Sequence, residues 1–175
     1  MPLSRELALT PAQVDELMGS LWNLRIATVG PGSRINLTPM WFGFVRTGAP
    51  TAPGEGLVYI FGRGQKVVNL RRDANCTLIV DRNERFPELQ GIMMQGTARI
   101  LEDAAAEAQD PHLEQVRAHM GAKYDGGHGQ PATPPGETPP PFAASARGRH
   151  GRWIVFTPEH VVSWDNFKLD RLRSG

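Results

Sequence analysis

The strongest constraint on the fold is a series of apolar runs separated by turn-forming residues. Each run has the alternating or β-branched and aromatic composition of a β-strand. Most connections between the runs are short enough for antiparallel pairing. We therefore expect a mainly β fold, a closed or nearly closed antiparallel barrel with peripheral helices. The predicted strands cover residues 24–29, 35–45, 57–61, 75–81, 91–102, 152–158 and 159–165, the last two meeting at a turn that contains Pro158.

Helical patterns occupy the remaining ordered segments. Thr10, Pro11 and Gln13 form the signature of a capped helix start, with Gln13 completing a capping box. An apolar stripe at helical spacing follows it. A short helix is expected after Gly64, with Val67 facing inward. Two more are predicted over 103–110 and 111–124, with Asp110 capping the second and Gly96 marking a bulge in the preceding strand.

Length and charge limit the possible classes of protein. A chain of 175 residues suits one domain, residues 1–175, with a buried core. The 19 Lys and Arg residues nearly balance 18 Asp and Glu residues, which argues against a nucleic-acid partner or an anionic membrane surface. The single cysteine lies in an apolar run, and we find neither a membrane-length apolar run nor a signal-peptide pattern. These features predict a cytoplasmic protein.

The segment 121–151 differs in composition from the rest. Thirteen of its 31 residues are Gly or Pro, and its apolar content is too low for a core. We interpret it as a flexible excursion within the single domain. Two roles remain open: a lid that closes over substrate, or a surface insertion without a role.

A local excess of positive charge follows the third predicted strand. The stretch "GRGQKVVNLRRD", residues 62–73, holds four cations and no acid before Asp73. A Gly-flanked turn with Arg63 and Lys66 at a helix start is typical of a phosphate-binding arrangement. The alternative is a solvated basic helix face, and Arg71 and Arg72 fit that alternative, or pairs with nearby acids.

A proline inside a predicted strand is the second unusual feature. The strand 35–45 contains Thr38, Pro39, Met40 and Trp41 in succession. Because Pro39 cannot donate to a ladder, it belongs at an edge or a bulge. A planar ligand lying there would take up the exposed backbone groups. The alternative is an ordinary edge bulge with Trp41 in the core.

These motifs carry a family resemblance. The elements "LRIATVGPGSRINLTPMWF", "VYIFGRGQKVVNLRRD", "TLIVDRNERFPELQGIMMQGTARILED" and "VVSWDNFKL" resemble the pyridoxamine 5'-phosphate oxidase-like split-barrel superfamily. More narrowly, they resemble its branch of flavin and deazaflavin (F420)-dependent oxidoreductases. The "QKxxNLRRD" and "SWDxxKL" elements are the most specific. The segment 121–151 has no counterpart in compact members of the family.

The resemblance implies a split antiparallel β-barrel of the FMN-binding type and a homodimer with two interfacial cofactor sites. Arg63 and Lys66 would hold the cofactor phosphate, and Gln65 would be a further cofactor-binding residue. Residues 38–41 would lie along the isoalloxazine or deazaflavin ring, and Trp164 would approach across the dimer interface.

The implied chemistry is hydride transfer between F420 or FMN and a small conjugated or quinone-like acceptor. This reaction needs no protein nucleophile, and we find no catalytic triad order, metalloprotease motif or metal-ligand cluster. No catalytic acid is assigned. The additional cations favour F420, which carries a charged tail, over FMN. The alternative function is a non-catalytic flavin- or haem-binding split-barrel protein.

Overall fold

The computed structural model describes residues 5–47, 55–125 and 151–169. Its strands are β1 (Leu24–Val29), β2 (Ile35–Met40), β3 (Gly43–Val45), β4 (Leu57–Gly62), β5 (Asn75–Arg82), β6 (Gln90–Leu101) and β7 (Arg152–Asp165). Its α-helices are α1 (Pro11–Ser20), α2 (Gln65–Arg72), α3 (Ala104–Gln109) and α4 (Leu113–Asp125).

All seven strands form one antiparallel sheet in the order β2-β1-β5-β6-β7-β4-β3. The sheet curls so that β2 approaches β4 across an opening. This confirms the expected mainly β split barrel with peripheral helices. The predicted bulge at Gly96 is also confirmed, since the pairing of β6 with β7 shifts register between Gln95 and Gly96.

The prediction of one long strand over 35–45 was wrong. The extended chain pairs with β1 as far as Met40, is interrupted at Trp41 and Phe42, and then pairs with β4 as β3. The Tyr124 hydroxyl satisfies the backbone at the interruption. It accepts a hydrogen bond from the Phe42 N–H at 2.9 Å and lies 3.0 Å from the Phe42 carbonyl oxygen. A side chain distant in sequence therefore replaces the ladder bonds that a continuous strand would make.

The prediction of two strands meeting at Pro158 was also wrong. Residues 152–165 form the single strand β7. Gln95 pairs with His160 and Gly96 with Pro158, so Glu159 is the extra residue of a β-bulge. A bulge accommodates Pro158 because the ladder is interrupted there. A Cβ on Gly96 would lie 2.0 Å from the Thr157 carbonyl oxygen, so no larger residue fits opposite the bulge without a backbone shift.

Two apolar clusters lie on opposite faces of the sheet. The barrel interior is filled by side chains of the strands together with α1 and α2, among them Leu17, Ile26 and Leu70. The predicted capping box of α1 is present, and Val67 is buried as expected. The second cluster, which includes Tyr59, packs α4 against β3, β4 and β7.

Helix α4 continues through the first residues of the Gly- and Pro-rich segment and buries Tyr124. The rest of that segment, 126–150, lies outside the described residues. The two roles considered for it, a lid and a surface insertion, therefore stay predictions. In the parts of the chain that the structure describes, no helix is long and apolar enough to span a membrane.

Candidate functional site

The basic turn joins the end of β4 to the start of α2. Gly64, the residue before α2, has φ 76° and ψ −149°, a conformation essentially restricted to glycine. No atom lies within 4 Å of the position that a Cβ on Gly64 would occupy. The backbone is thus open to close approach at the end of a helix that points its first N–H groups outward.

Lys66 packs over this turn. A Cβ on Gly62 would lie 3.2 Å from the Lys66 Cδ, and the Lys66 Nζ donates to the Arg63 carbonyl oxygen at 3.1 Å. Burial, followed by the neighbouring Arg63 guanidinium, lowers the pKa of Lys66. Within the described residues, neither Arg63 nor Lys66 forms an ion pair. The turn therefore carries positive charge that the described residues do not neutralise.

Arg71 and Arg72, at the other end of α2, are engaged by the protein itself. Arg71 makes two hydrogen bonds to Glu102, at 2.8 and 2.6 Å. The hydrogen bond to Glu102 raises the pKa of Arg71, and the same contact lowers the pKa of Glu102. Arg72 donates to the Val29 carbonyl oxygen at 2.5 Å. Both cations are thus occupied by contacts at the protein surface, which agrees with the alternative of a basic helix face or pairs with nearby acids.

A series of polar side chains extends from the turn to β2. Gln65 Nε2 donates to Asn69 Oδ1 at 2.8 Å, and Asn69 Nδ2 donates to Thr28 Oγ1 at 3.1 Å. Thr28 is opposite Asn36 in the sheet, and the Thr38 hydroxyl donates to Asn36 Oδ1 at 3.2 Å. The structure therefore places Gln65 and Thr38 at the two ends of one polar border.

Sequence reasoning missed three members of this border: Thr28, Asn36 and the fully buried Asn69. Asn69 had two signals: it stands in the "QKxxNLRRD" element, and its four-residue spacing from Gln65 puts both on one face of α2. Thr28 and Asn36 carried none, because their roles depend on strand register.

The segment 38–41 lies at an edge of the sheet, as Pro39 predicted. Pro39 is exposed on β2, an edge strand, which confirms the edge placement. Thr38 is half-buried, and Met40 packs against the barrel interior.

The Trp41 side chain belongs to an aromatic cluster beside α4. It stacks on Tyr124 with ring centroids 4.5 Å apart and planes 4° from parallel, and it meets Trp22 edge to face at 6.2 Å. This packing matches the alternative in which Trp41 lies among core side chains. The Trp41 backbone is three residues after Thr38, the residue at the β2 end of the polar border.

Trp164 lies far from the turn within one chain. It pairs with Gly91 near one end of β7, whereas Arg152, at the other end, pairs with Gly62. At the usual rise of a strand, these two positions are roughly 30–40 Å apart. One chain therefore does not bring Trp164 to Lys66.

The outer face of the sheet exposes apolar side chains. On β2, Ile35 and Leu37 are 65% and 61% exposed, and Val162 on β7 is 39% exposed. The register aligns Val162 with the half-buried Met93 and Ile79 on neighbouring strands. This apolar strip lies on the side of the sheet opposite the barrel interior, and Arg25, whose guanidinium pairs with Asp81, interrupts it on β1.

A curled seven-stranded antiparallel sheet with a glycine-bounded basic turn before α2 defines the split-barrel class. The sequence matches the family model described as pyridoxamine 5'-phosphate oxidase over residues 11–165, and the chain belongs to that family. No curated protein matches the chain in a sequence search.

Solved structures with the same fold cover nearly the whole chain. A conserved hypothetical protein, Rv2991 from Mycobacterium tuberculosis, is 20% identical with a TM-score of 0.70, covering 97% of this chain and 93% of its own. HutZ, a haem storage protein from Vibrio cholerae, is 15% identical with a TM-score of 0.61, covering 94% and 96%. A FAD-binding protein from Mesorhizobium loti is 13% identical with a TM-score of 0.56, covering 89% and 94%. At these identities the likeness establishes the fold alone.

Proposed function

We propose that the protein is an oxidoreductase that transfers a hydride between F420 or FMN and a small conjugated or quinone-like acceptor. The carrying observation is the turn between β4 and α2, where Arg63 and Lys66 lack acidic partners among the described residues. The family membership and the FAD-binding neighbour support a flavin-type ligand.

The donors at the turn fit a phosphate group. Lys66 and Arg63 supply positive charge, and the α2 N-terminus supplies backbone N–H groups. Gly64 leaves the approach to the main chain open. The cofactor, when bound, supplies the hydride chemistry. The chain's own contribution is to hold the phosphate at α2 and to align the ring along residues 38–41.

A homodimer is part of this proposal. In this proposal Trp164 contributes to the site of a second copy, since it lies far from Lys66 along β7 in its own chain. The apolar strip of Leu37, Val162 and their neighbours offers a surface for such pairing. Light scattering over a dilution series tests this, and a monomer at micromolar concentration that still binds cofactor would contradict the interfacial arrangement.

Both cofactors remain in the proposal. Arg71 and Arg72 are held by Glu102 and the Val29 carbonyl oxygen, so they do not favour F420 over FMN. Either cofactor carries a phosphate that the turn fits.

The test is a spectroscopic titration of the purified protein with FMN and with F420, followed by a turnover assay. Reduced cofactor and menadione, a quinone, are mixed with and without the protein. The expected result is saturable binding of one cofactor and faster oxidation of its reduced form by menadione. Failure of both cofactors to bind would overturn the proposal.

The second candidate is a non-catalytic cofactor-binding protein. It is favoured by the likeness to HutZ, described as a haem storage protein. Titration with haemin distinguishes the two, because stoichiometric haem binding without flavin or F420 binding would favour storage. Flavin or F420 binding without turnover of a panel of quinones and nitroaromatics would favour a flavin-binding module.

A further inference from the structure

A cavity lies at the opposite edge of the sheet from β2. It has a volume of about 440 Å³ and lies between the end of α1, strand β3 and helix α4. This volume falls within the roughly 300–1,000 Å³ typical of small-molecule sites. Apolar side chains form most of its wall: Met18, Phe42, Phe44 and Met120.

Lys123 brings an uncompensated charge into this cavity. Its Nζ donates to the Met18 carbonyl oxygen at 3.0 Å and lies 4.0 Å from the centre of the Phe42 ring. In the described part of the chain it forms no ion pair, and burial lowers its pKa to about 8. An ammonium group has three donors. One donor is taken by the Met18 carbonyl oxygen, and the faces of the Phe42 and Tyr124 rings, the latter 5.3 Å away, supply no anion, so the described residues leave the charge unneutralised.

The other charges of the cavity are largely accounted for. Arg46 donates to Asp15 through two nitrogens at 2.6–3.2 Å and also to the Glu55 carbonyl oxygen. This pair is close to neutral, and the other titratable group among the described lining residues, besides Lys123, is the exposed His119. The field inside the cavity is therefore set by Lys123, and it favours an anion.

This cavity is separate from the basic turn. β3 pairs with the first half of β4, where Gly43 is opposite Tyr59 and Val45 is opposite Leu57. The basic turn begins at Gly62, which is roughly 10–17 Å further along that strand. A ligand in the cavity does not depend on a cofactor at the turn.

We propose that the cavity binds a small organic carboxylate with an apolar body, of the class of medium-chain fatty acids. The carboxylate would accept a charge-assisted hydrogen bond from Lys123, and the hydrocarbon would lie against Phe44 and Met120. A neutral alcohol of the same length lacks the charge that Lys123 requires, and a primary amine is repelled by it. The proposal is independent of the oxidoreductase function.

The experiment uses the full chain and three probes: octanoate, 1-octanol and octylammonium, titrated at pH 7 by calorimetry. Two variants address the site. Lys123→Met removes the charge at similar length. Gly19→Leu adds a side chain to the cavity wall at the end of α1, where a Cβ meets no atom within 4 Å. Lys66→Ala is the matched lysine control, and thermal unfolding shows that each variant is folded.

The expected result is saturable octanoate binding that weakens at least about tenfold in Lys123→Met and in Gly19→Leu. Octanol binds more weakly than octanoate, changes less than about threefold in Lys123→Met, and is lost in Gly19→Leu. Lys66→Ala leaves octanoate binding unchanged. The proposal is overturned if octanoate does not saturate at millimolar concentration, if octanol or octylammonium binds as tightly, or if both cavity variants bind octanoate like the parent. Because the cavity and the basic turn are separate sites, failure here leaves the oxidoreductase proposal intact.

Discussion

The two ends of helix α2 each carry two cations, and the protein treats them differently. At the N-terminus, Arg63 and Lys66 surround an open glycine turn without an acidic partner among the described residues. At the C-terminus, Arg71 is held by Glu102 and Arg72 by the Val29 carbonyl. The helix dipole stabilises cations at the C-terminus of a helix, where it is negative, and destabilises them at the N-terminus. The unfavourable pair is therefore the one that indicates a ligand.

The sequence does not separate these two pairs. Glu102 lies 31 residues from Arg71, and Val29 lies 43 residues from Arg72. Both partners reach α2 only through the folding of the sheet. Spacing within one helix thus identifies cations, whereas the fold decides which of them remain available.

The largest expected effect separates the two ends directly. Lys66→Ala should weaken binding of the cognate cofactor by about 1.5–3 kcal/mol, which is about 10- to 150-fold, because it removes a charge-assisted contact to phosphate. Arg71→Ala is the matched control and should change affinity less than about threefold. Titration with FMN and F420 measures both. Equal losses in the two variants would mean that the ends of α2 do not differ in function.

A change in the backbone sharpens the same comparison. Gly64→Ala should destabilise the protein by about 1–3 kcal/mol, because φ 76° with ψ −149° is strained for any residue with a Cβ. Gly19→Ala is the control. Gly19 lies inside α1, where alanine should stabilise by about 0.5–1 kcal/mol. Urea unfolding of both variants tests the contrast, and a Gly64→Ala protein as stable as its parent would contradict the strained geometry.

Lys123 extends the comparison to a cation without an acid in an apolar setting. Burial lowers its pKa from 10.5 to about 8. Between pH 8 and 10 the unfolded chain therefore binds more protons at this lysine than the folded chain does. The free energy of unfolding consequently increases as the pH rises.

Relative to Lys123→Met, the parent protein should gain about 1–2 kcal/mol in the free energy of unfolding between pH 7.5 and 9.5. Urea titrations of both proteins at the two pH values measure this. The buried Tyr59 and Tyr124, whose pKa values are raised by burial, are shared by both proteins and cancel in the difference. A constant difference would show that Lys123 is solvated.

The smallest effect is expected at the paired end of α2. Arg71→Ala should lower the free energy of unfolding less than any other variant considered, because both partners of the ion pair are about half exposed. The loss should shrink in high salt, since screening weakens exposed pairs. Urea unfolding at low and high ionic strength checks this. A loss as large as that of Gly64→Ala would assign Arg71 a buried structural role.

Much of the fold follows from local pattern. Alternation and turn residues located the strands, and Thr10 with Gln13 located the start of α1. The described residues form seven strands, the number predicted, but the agreement results from two compensating errors. One predicted strand is divided at Phe42, and two predicted strands are joined through Pro158.

Both errors have the same physical origin. In both cases the group that contacts the backbone is distant in sequence. The Tyr124 hydroxyl binds the backbone of Phe42 and divides the predicted strand 35–45, whereas the bulge opposite Gly96 accommodates Pro158 within β7. The candidate site follows the same rule. The local signals Lys66 and Gly64 were visible in the sequence, whereas Asn36 and Thr28 depend on strand pairing.

The interruption at Trp41 and Phe42 also fixes the shape of the whole sheet. Met40 and Gly43 lie on strands at opposite edges, yet three Cα steps span at most about 11 Å. A flat sheet of seven strands would hold its edges roughly 28 Å apart. Because the connection is this short, β2 can pair with β1 and β3 with β4 only if the sheet curls, so Trp41 and Phe42 hold its two edges together. An insertion of several glycines between Met40 and Gly43 would lengthen the connection and allow the sheet to open along the side that carries the polar border.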